Sequence, residues 1–318
     1  MTMSHFTMNS KPRLQESFVT KNALGDRMKV NYEKRYKIGL TRRTPVIIRV
    51  DGRAFHTLTR TCQRPFDEVI MESMVAGARR VLEHAQGAKL AYVQSDEVSF
   101  LLTDYDNLQT EAWFGNDLCK IVSVSAALMT QGFNQAKQRR SPFSLLGDFD
   151  SRAFNVPEAE VANYFLWRAQ DWARNSLSMY AQAHFSHRQM YGKNRDKLHE
   201  MLHGIGKNWT RDLTQREKNG TFVIKADGAW EERCDVRPCW DQINTLVTSV
   251  LPAIDRPADS AVDKVLTKLC ATANAWEMQG ASNEALYGAI ASIEWATGRN
   301  NSTPYVPNYL FLPGGDDA

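Results

Sequence analysis

Cysteine is scarce in this chain, and the five present (Cys62, Cys119, Cys234, Cys239 and Cys270) are scattered and odd in number. That excludes a disulfide framework and points to free thiols in a reducing, cytoplasmic setting. Cys234 and Cys239 have no second pair that would complete a structural zinc site. No apolar run approaches the ~18–20 residues that a membrane span takes. The N-terminus, MTMSHFTMNSKPRLQ, lacks the apolar stretch of a secretory signal, and residues 1–20 read as a disordered leader. Internal repeats and low-complexity segments are also missing. What remains is 318 residues, 43% hydrophobic and 24% charged, the composition of an ordinary globular protein. That is enough chain for two domains, or for one large domain with an appendage.

The formal charge of +3 conceals an asymmetry, because the chain carries −7 after residue 225 and +10 before it. A basic first part beside an acidic tail suggests an anionic partner for the former, such as a nucleotide or nucleic acid.

Hydrophobic periodicity places the elements. Residues 24–36 read as a short helix packing onto the core. Val46–Val50 is a buried strand that ends on Asp51 and Gly52. A helix opens at Phe66-Asp67, with Met71, Met74, Val75, Ala78, Val81, Leu82 and Ala85 in an amphipathic stripe, and Gly87 ends it. Leu90–Gln94 and Val98–Leu102 are strands joined through Ser95-Asp96-Glu97. A second amphipathic helix carries Leu118, Ile121, Val122, Leu128, Met129 and Phe133, and Gly147–Asn155 reads as a fourth strand. From Glu158 the pattern is helical and rich in aromatics, with basic residues such as Arg168 and Arg174 among them that would track a nucleic-acid backbone. Leu213–Gly220 reads as a turn region before a short strand, Phe222–Lys225. Ile243–Val250, Ser260–Met278 and Ser282–Gly298 read as helices of an acidic tail. The expected division is a catalytic domain over 21–228 and an α-helical extension over 229–318.

Strand, helix, strand, strand, helix, strand is the βαββαβ order of a ferredoxin-like unit, so the fold class is α+β. In such a sheet the third strand lies antiparallel to the first. The tip carrying Asp51 then meets the hairpin carrying Asp96 and Glu97. Carboxylates without histidine or cysteine are hard oxygen donors that suit Mg²⁺ held together with substrate phosphates. Two such ions serve phosphoryl transfer. The backbone amides of Gly52-Arg53-Ala54-Phe55-His56 form a candidate phosphate nest, and Arg53, Arg60, Arg64 and Lys120 are candidates to neutralise charge. By analogy of fold alone, carboxylates at this tip resemble the palm of nucleotide polymerases and nucleotidyl cyclases.

Six segments sharpen the analogy. Val50-Asp-Gly-Arg-Ala-Phe-His56, Arg64-Pro-Phe-Asp67, Ala91-Tyr-Val-Gln-Ser-Asp-Glu-Val-Ser-Phe100, Cys119-Lys-Ile-Val-Ser123, Phe149-Asp-Ser-Arg-Ala-Phe154 and Asp171-Trp-Ala-Arg-Asn-Ser176 occur in this order. Together they resemble the tRNA-His guanylyltransferase superfamily, including its Thg1-like bacterial and archaeal members. Leu24-Gly-Asp-Arg-Met-Lys29 is similar to the start of the bacterial-type members. The resemblance covers about residues 20–225.

It implies Mg²⁺-dependent addition of nucleotides to the 5′ end of a tRNA in the 3′-to-5′ direction, with GTP, ATP or other triphosphates as substrates. Carried over, Asp51 and Asp96 would bind two metal ions with the Gly52 carbonyl assisting. Glu97 would be an auxiliary or supporting carboxylate. His56 and the amides of Arg53, Ala54 and Phe55 would hold the incoming triphosphate. Asp67 would read the base, Lys120 and Ser95 would contact phosphate, and Asn175 would place nucleotide or RNA. Members typically assemble as tetramers, which implies a homo-oligomer. Two departures stand out. The family's Lys-Pro-Asn-Asp is Arg64-Pro65-Phe66-Asp67 here, and the eukaryotic His-x-Asn-Asn is Ala173-Arg174-Asn175-Ser176. The second favours 5′-end repair or editing over strict tRNA-His guanylylation. A palm-type cyclase and an RNA-binding protein without chemistry are the alternatives.

Overall fold

The computed structural model describes residues 23–141, 145–226 and 228–252. The expected leader and the tail helices over 260–278 and 282–298 lie outside them, as does Cys270. The chain divides into two compact units between Ala253 and Ile254. Within the first, the elements run α1 (Ala23–Asn31), β1 (Val46–Arg53), α2 (Phe55–Leu58), α3 (Glu68–His84), β2 (Ala88–Gln94), β3 (Glu97–Leu102), α4 (Leu118–Arg140), β4 (Asp148–Asn155) and α5 (Glu158–Gln182). Then follow α6 (His187–Met190), α7 (Arg195–Gly204), α8 (Trp209–Asp212), α9 (Gln215–Asn219), β5 (Thr221–Ala226), β6 (Ala229–Arg233) and α10 (Trp240–Val250).

The six strands form one sheet in the order β4-β1-β3-β2-β5-β6, every pairing antiparallel. Strand alternation sorts the core into two layers. Val46, Ile48 and Val50 of β1 pack with Val98 and Phe100 of β3 against α3 and α4 residues such as Met74, Val81 and Phe133. Ile47 and Leu101 turn the other way, toward Phe165 of α5 and Ile243, Leu246 and Val247 of α10. A third cluster joins Phe66 to Trp172, Leu177 and Tyr180 of α5 and Leu198 and Leu202 of α7.

Helix α3 starts where Asp67 accepts the Ile70 N–H at 3.1 Å, and α4 starts where Asp117 accepts the Lys120 N–H at 3.2 Å, both as side-chain N-caps. The two helices cross through glycines. A Cβ on Gly132 would come within 2.9 Å of the Gly77 Cα, and one on Gly77 within 2.7 Å of Met129 Sδ.

Three expectations change. The segment expected to pack onto the core at residues 24–36 buries nothing in α1, and Leu24, Met28 and Val30 are exposed. Leu213–Gly220, read as a turn region, contains the short helix α9, opened by a capping box between Thr214 and Glu217. The division expected at 228 falls inside the β5–β6 hairpin, where Ala226 pairs with Ala229. Burying Ile243, Leu246 and Val247 is worth about 1.5–3 kcal/mol per side chain, and this ties α10 to the sheet rather than to a separate tail.

The helix crossing supplies a test. Alanine is better than glycine inside a helix by about 1 kcal/mol, whereas forcing extra volume between packed elements costs about 1–3 kcal/mol. At Gly132 the neighbours are backbone as well as side chain, so the clash outweighs the propensity. Gly132→Ala is expected to lower the urea midpoint, and Gly132→Val to lower it further.

Candidate active site at the tip of the first strand

The register puts Asp51 of β1 directly opposite Glu97 of β3 and Asp150 of β4. Like charges directly opposite one another across strands are destabilising, and the surroundings compensate them unequally. Glu97 is fully engaged. Its Oε1 accepts from Arg168 Nε at 2.7 Å and from Gln94 Nε2 at 3.0 Å, and its Oε2 accepts from Arg168 Nη2 at 3.0 Å. Asp150 pairs with Arg152 at 3.2 Å, and that guanidinium lies 3.8 Å from Asp51. Asp51 itself is two-fifths exposed, at 41% of its side chain.

Asp96 sits in the turn between β2 and β3, and its carbonyl accepts the Gly52 N–H at 2.8 Å. A Cβ on Gly52 would lie 2.3 Å from the Phe55 ring and 2.9 Å from the Asp96 Cβ, so close approach requires glycine there. Burial holds the Asp96 carboxyl above its ordinary pKa. Ser95 lowers it through a side-chain hydrogen bond, and the charges of Asp51 and Glu97 push it up. Ser95 takes a left-handed conformation (φ 48°) to make the two-residue turn.

After β1 the chain turns through Ala54, also left-handed (φ 52°, ψ 35°), into α2. Phe55 anchors this loop. Its ring lies 5.4 Å from that of Phe133 and 5.2 Å from that of Phe149, which are themselves 5.2 Å apart. The expected contribution of Phe55 is therefore confined to its backbone.

Beside the tip lies a cavity of about 390 Å³ whose walls include His56, Arg64, Asp67, Ser95 and Asp96. Phe66, Met71, Met74, Trp172 and Met179 give it an apolar side. Phe66 meets Trp172 edge-on at 6.1 Å, so the residue that departs from the family pattern serves as wall and core together. Two polar atoms of the wall, Gln94 Oε1 and Trp172 Nε1, are buried without a hydrogen-bond partner.

The sequence expectations meet this geometry unevenly. Asp51, Gly52 and Asp96 converge, with Glu97 at the next position. Asp67 helps form the cavity, but Oδ1 accepts from the Ile70 N–H and Oδ2 from the Gln63 N–H at 2.9 Å, so its carboxylate is already a structural cap. Arg53, Ala54, Lys120 and Asn175 are exposed and are not among the cavity walls. Lys120 stands in the first turn of α4, and the Asn175 amide reaches only Asp171, at 3.5 Å. Arg168, expected to track nucleic acid, is buried and bound to Glu97, while Arg174 is exposed. Sequence reasoning missed Asp150 and Arg168 at the site. The alternation Asp148-Phe149-Asp150 on a strand beside β1 would have indicated the first. Nothing local links Arg168 to Glu97, 71 residues earlier.

The chain is similar to several known proteins. The family model described as tRNAHis guanylyltransferase matches residues 25–157. A bacterial tRNA(His) guanylyltransferase (Thg1)-like protein solved in complex with ATP superposes with a TM-score of 0.68 at 41% identity, covering 72% of this chain and 99% of that one. A similar bacterial protein in complex with GTP gives a TM-score of 0.61 at 38% identity over the same shares. The tRNA(His) guanylyltransferase of Schizosaccharomyces pombe is 34% identical over 139 residues, 42% of this chain and 51% of its own length. The chain thus spans about half the length of that curated relative. With nearly the whole of a bacterial homologue covered at 41% identity, the chain belongs to the Thg1-like tRNA(His) guanylyltransferase family.

Proposed function

We propose that this protein is a Mg²⁺-dependent nucleotidyltransferase that lengthens the 5′ end of tRNA or a related RNA in the 3′-to-5′ direction. The observation that carries the reading is the bond from the Gly52 N–H to the Asp96 carbonyl, which gathers Asp51 and Asp96 beside a ligand-sized cavity. Family membership and the ATP and GTP complexes of two bacterial relatives support it. The β4-β1-β3-β2 order, with carboxylates at the β1 tip, supports a ferredoxin-like, polymerase-palm reading of the domain.

The donor set fits Mg²⁺. Among the described residues no group of three or more His, Cys, Asp or Glu side chains is placed to hold a metal ion. Mg²⁺, however, is usually held by one or two carboxylates together with substrate phosphates and water. Asp51 and Asp96 offer that pair; burial, with a smaller push from the charges of Asp51 and Glu97, raises the Asp96 pKa, and a bound cation would offset both. When bound there, the metal supplies charge neutralisation of the triphosphate and activation of the attacking oxygen.

The chain's own groups do the rest. The backbone around left-handed Ala54 presents N–H groups to phosphate oxygens, and His56 and Arg64 face the cavity with charge or hydrogen bonds. The apolar wall from Phe66 to Met179 accepts the base. In the first step the RNA 5′-phosphate displaces pyrophosphate from a nucleoside triphosphate. In the second, the 3′-hydroxyl oxygen of the incoming nucleotide bonds to the activated 5′ phosphorus. The bond to the activating nucleotide breaks, and the hydroxyl proton leaves to solvent. Ala173-Arg174-Asn175-Ser176 favours end repair or editing over strict guanylylation of tRNA-His.

Given Mg²⁺, triphosphates and a 5′-truncated tRNA, the purified protein is expected to lengthen that end. Asp51→Ala should cost several kcal/mol of barrier, about 10³-fold in rate. Cyclic nucleotide formed without RNA would replace this reading with the cyclase. RNA affinity indifferent to Asp51→Ala, with no turnover, would replace it with the idle binder.

A second expectation concerns the chelated protein. Because the folded-state pKa of Asp96 is raised, the folded form binds that proton more tightly than the unfolded chain, and stability is lost as pH rises through the raised value. Asp96→Asn should therefore melt higher than wild type at pH 7 in chelator, and the gap should close below pH about 4, where both states are protonated. In solution we expect a homo-oligomer, and light scattering that returned a 36.1 kDa monomer would refute it.

A further inference from the structure

Arg168 is a buried charge for which the proposed reaction has no use. It is 8% exposed on α5, and its guanidinium lies over the Trp167 ring, 4.4 Å from the centroid. It makes a two-pronged pair with Glu97 and a further bond to Asp171 at 3.1 Å. A planar guanidinium fixes a carboxylate in direction as well as distance. The amide of Gln94 holds the same carboxylate, and Gln94 is the cross-strand partner of Glu97 at the base of the turn. Both strands of the hairpin are thus tied to α5 at the residues that flank Ser95 and Asp96. Arg49 adds positive charge, its Nε 3.9 Å from Glu97 Oε2.

We propose that Arg168 is a positioning residue. It pins Glu97 as a neutralised strut that holds the turn carrying Asp96 beside the Asp51 tip, and Glu97 is not itself a metal ligand. Both Glu97 oxygens would have to give up bonds to a buried guanidinium to reach a cation, whereas Asp96 is bonded only by the neutral Ser95 side chain and a backbone N–H, and Asp51 faces Arg152 no closer than 3.8 Å. Removing Arg168 strands a part-buried carboxylate beside two others, and such a group is costly when one partner is deleted. Deleting both charges together relieves that cost.

The test is a double-mutant cycle on Arg168→Met and Glu97→Gln, with Arg168→Lys and Asp96→Asn for reference. Thermal unfolding is measured in chelator, and Mn²⁺ binding is measured by calorimetry on the metal-free protein. Arg168→Met is expected to lower the melting temperature and to weaken Mn²⁺ binding at least tenfold. Adding Glu97→Gln should recover most of both, and Arg168→Lys should fall between Arg168→Met and wild type. Asp96→Asn should abolish binding. Two results overturn the proposal. One is Glu97→Gln alone abolishing Mn²⁺ binding as Asp96→Asn does, which makes Glu97 a ligand. The other is Arg168→Met lowering the melting temperature with Mn²⁺ binding unchanged, which makes Arg168 merely structural. The proposal rests on the nucleotidyltransferase reading only for its meaning in catalysis. Failure of the RNA assay would sink that reading and leave the cycle interpretable.

Discussion

Repulsion among carboxylates at one edge of a sheet is the constraint that the rest of the site answers. Asp51, Asp96, Glu97 and Asp150 meet there because β1 lies between β3 and β4, and the hairpin turns beside its tip. Left alone, such an edge would splay, since each opposed pair of like charges weakens the ladder. The fold compensates two of the four with arginines from its own elements, Arg168 for Glu97 and Arg152 for Asp150. It leaves Asp51 and Asp96 with less. That imbalance, rather than the number of acidic residues, picks out the pair suited to a cation and to substrate phosphates.

Much of this arrangement was legible in the residues. Strands β1, β2, β3 and β4 and helices α3 and α4 follow from hydrophobic period, because each buries one face against a known partner layer. Their order fixes which strands are neighbours, so the meeting of Asp51 with Asp96 and Glu97 could be read before any coordinates. Strand β6 could not. Its residues, Ala229-Trp-Glu-Glu-Arg233, are mostly exposed and charged, as suits a sheet edge that must not recruit another strand. The charge that made residues beyond 228 look like a separate tail is partly this edge. Helix α1 fails in the opposite sense. Leu24, Met28 and Val30 look like core residues in sequence, yet they are exposed among the described residues.

The site residues divide in the same way. Backbone-defined features, such as glycine at position 52 and the turn at Ser95-Asp96, were readable because few residues tolerate those geometries. Long-range side-chain pairings were not. Asp67 is a carboxylate at a position where the resemblance implied base selection, but as the first cap of α3 its oxygens serve the Ile70 and Gln63 amides. Arg168 sits among basic residues on an aromatic-rich helix, and only the fold shows it turned inward. Phe66 could be seen as a departure, but its place in the cluster with Trp172 and Leu202 needed the third dimension.

The two-residue turn at Ser95-Asp96 bears on how the molecule assembles. Serine in a left-handed conformation gives the turn no intrinsic preference to close, unlike the glycine-containing turns that nucleate hairpins on their own. Closure is completed by the Gly52 N–H from a strand 44 residues away, and that contact forms only after the intervening loop has been closed at an entropic cost. Asp51 and Asp96 therefore come together only as β1 pairs with β3. A chain in which these two strands have not yet paired lacks the Asp51–Asp96 pair.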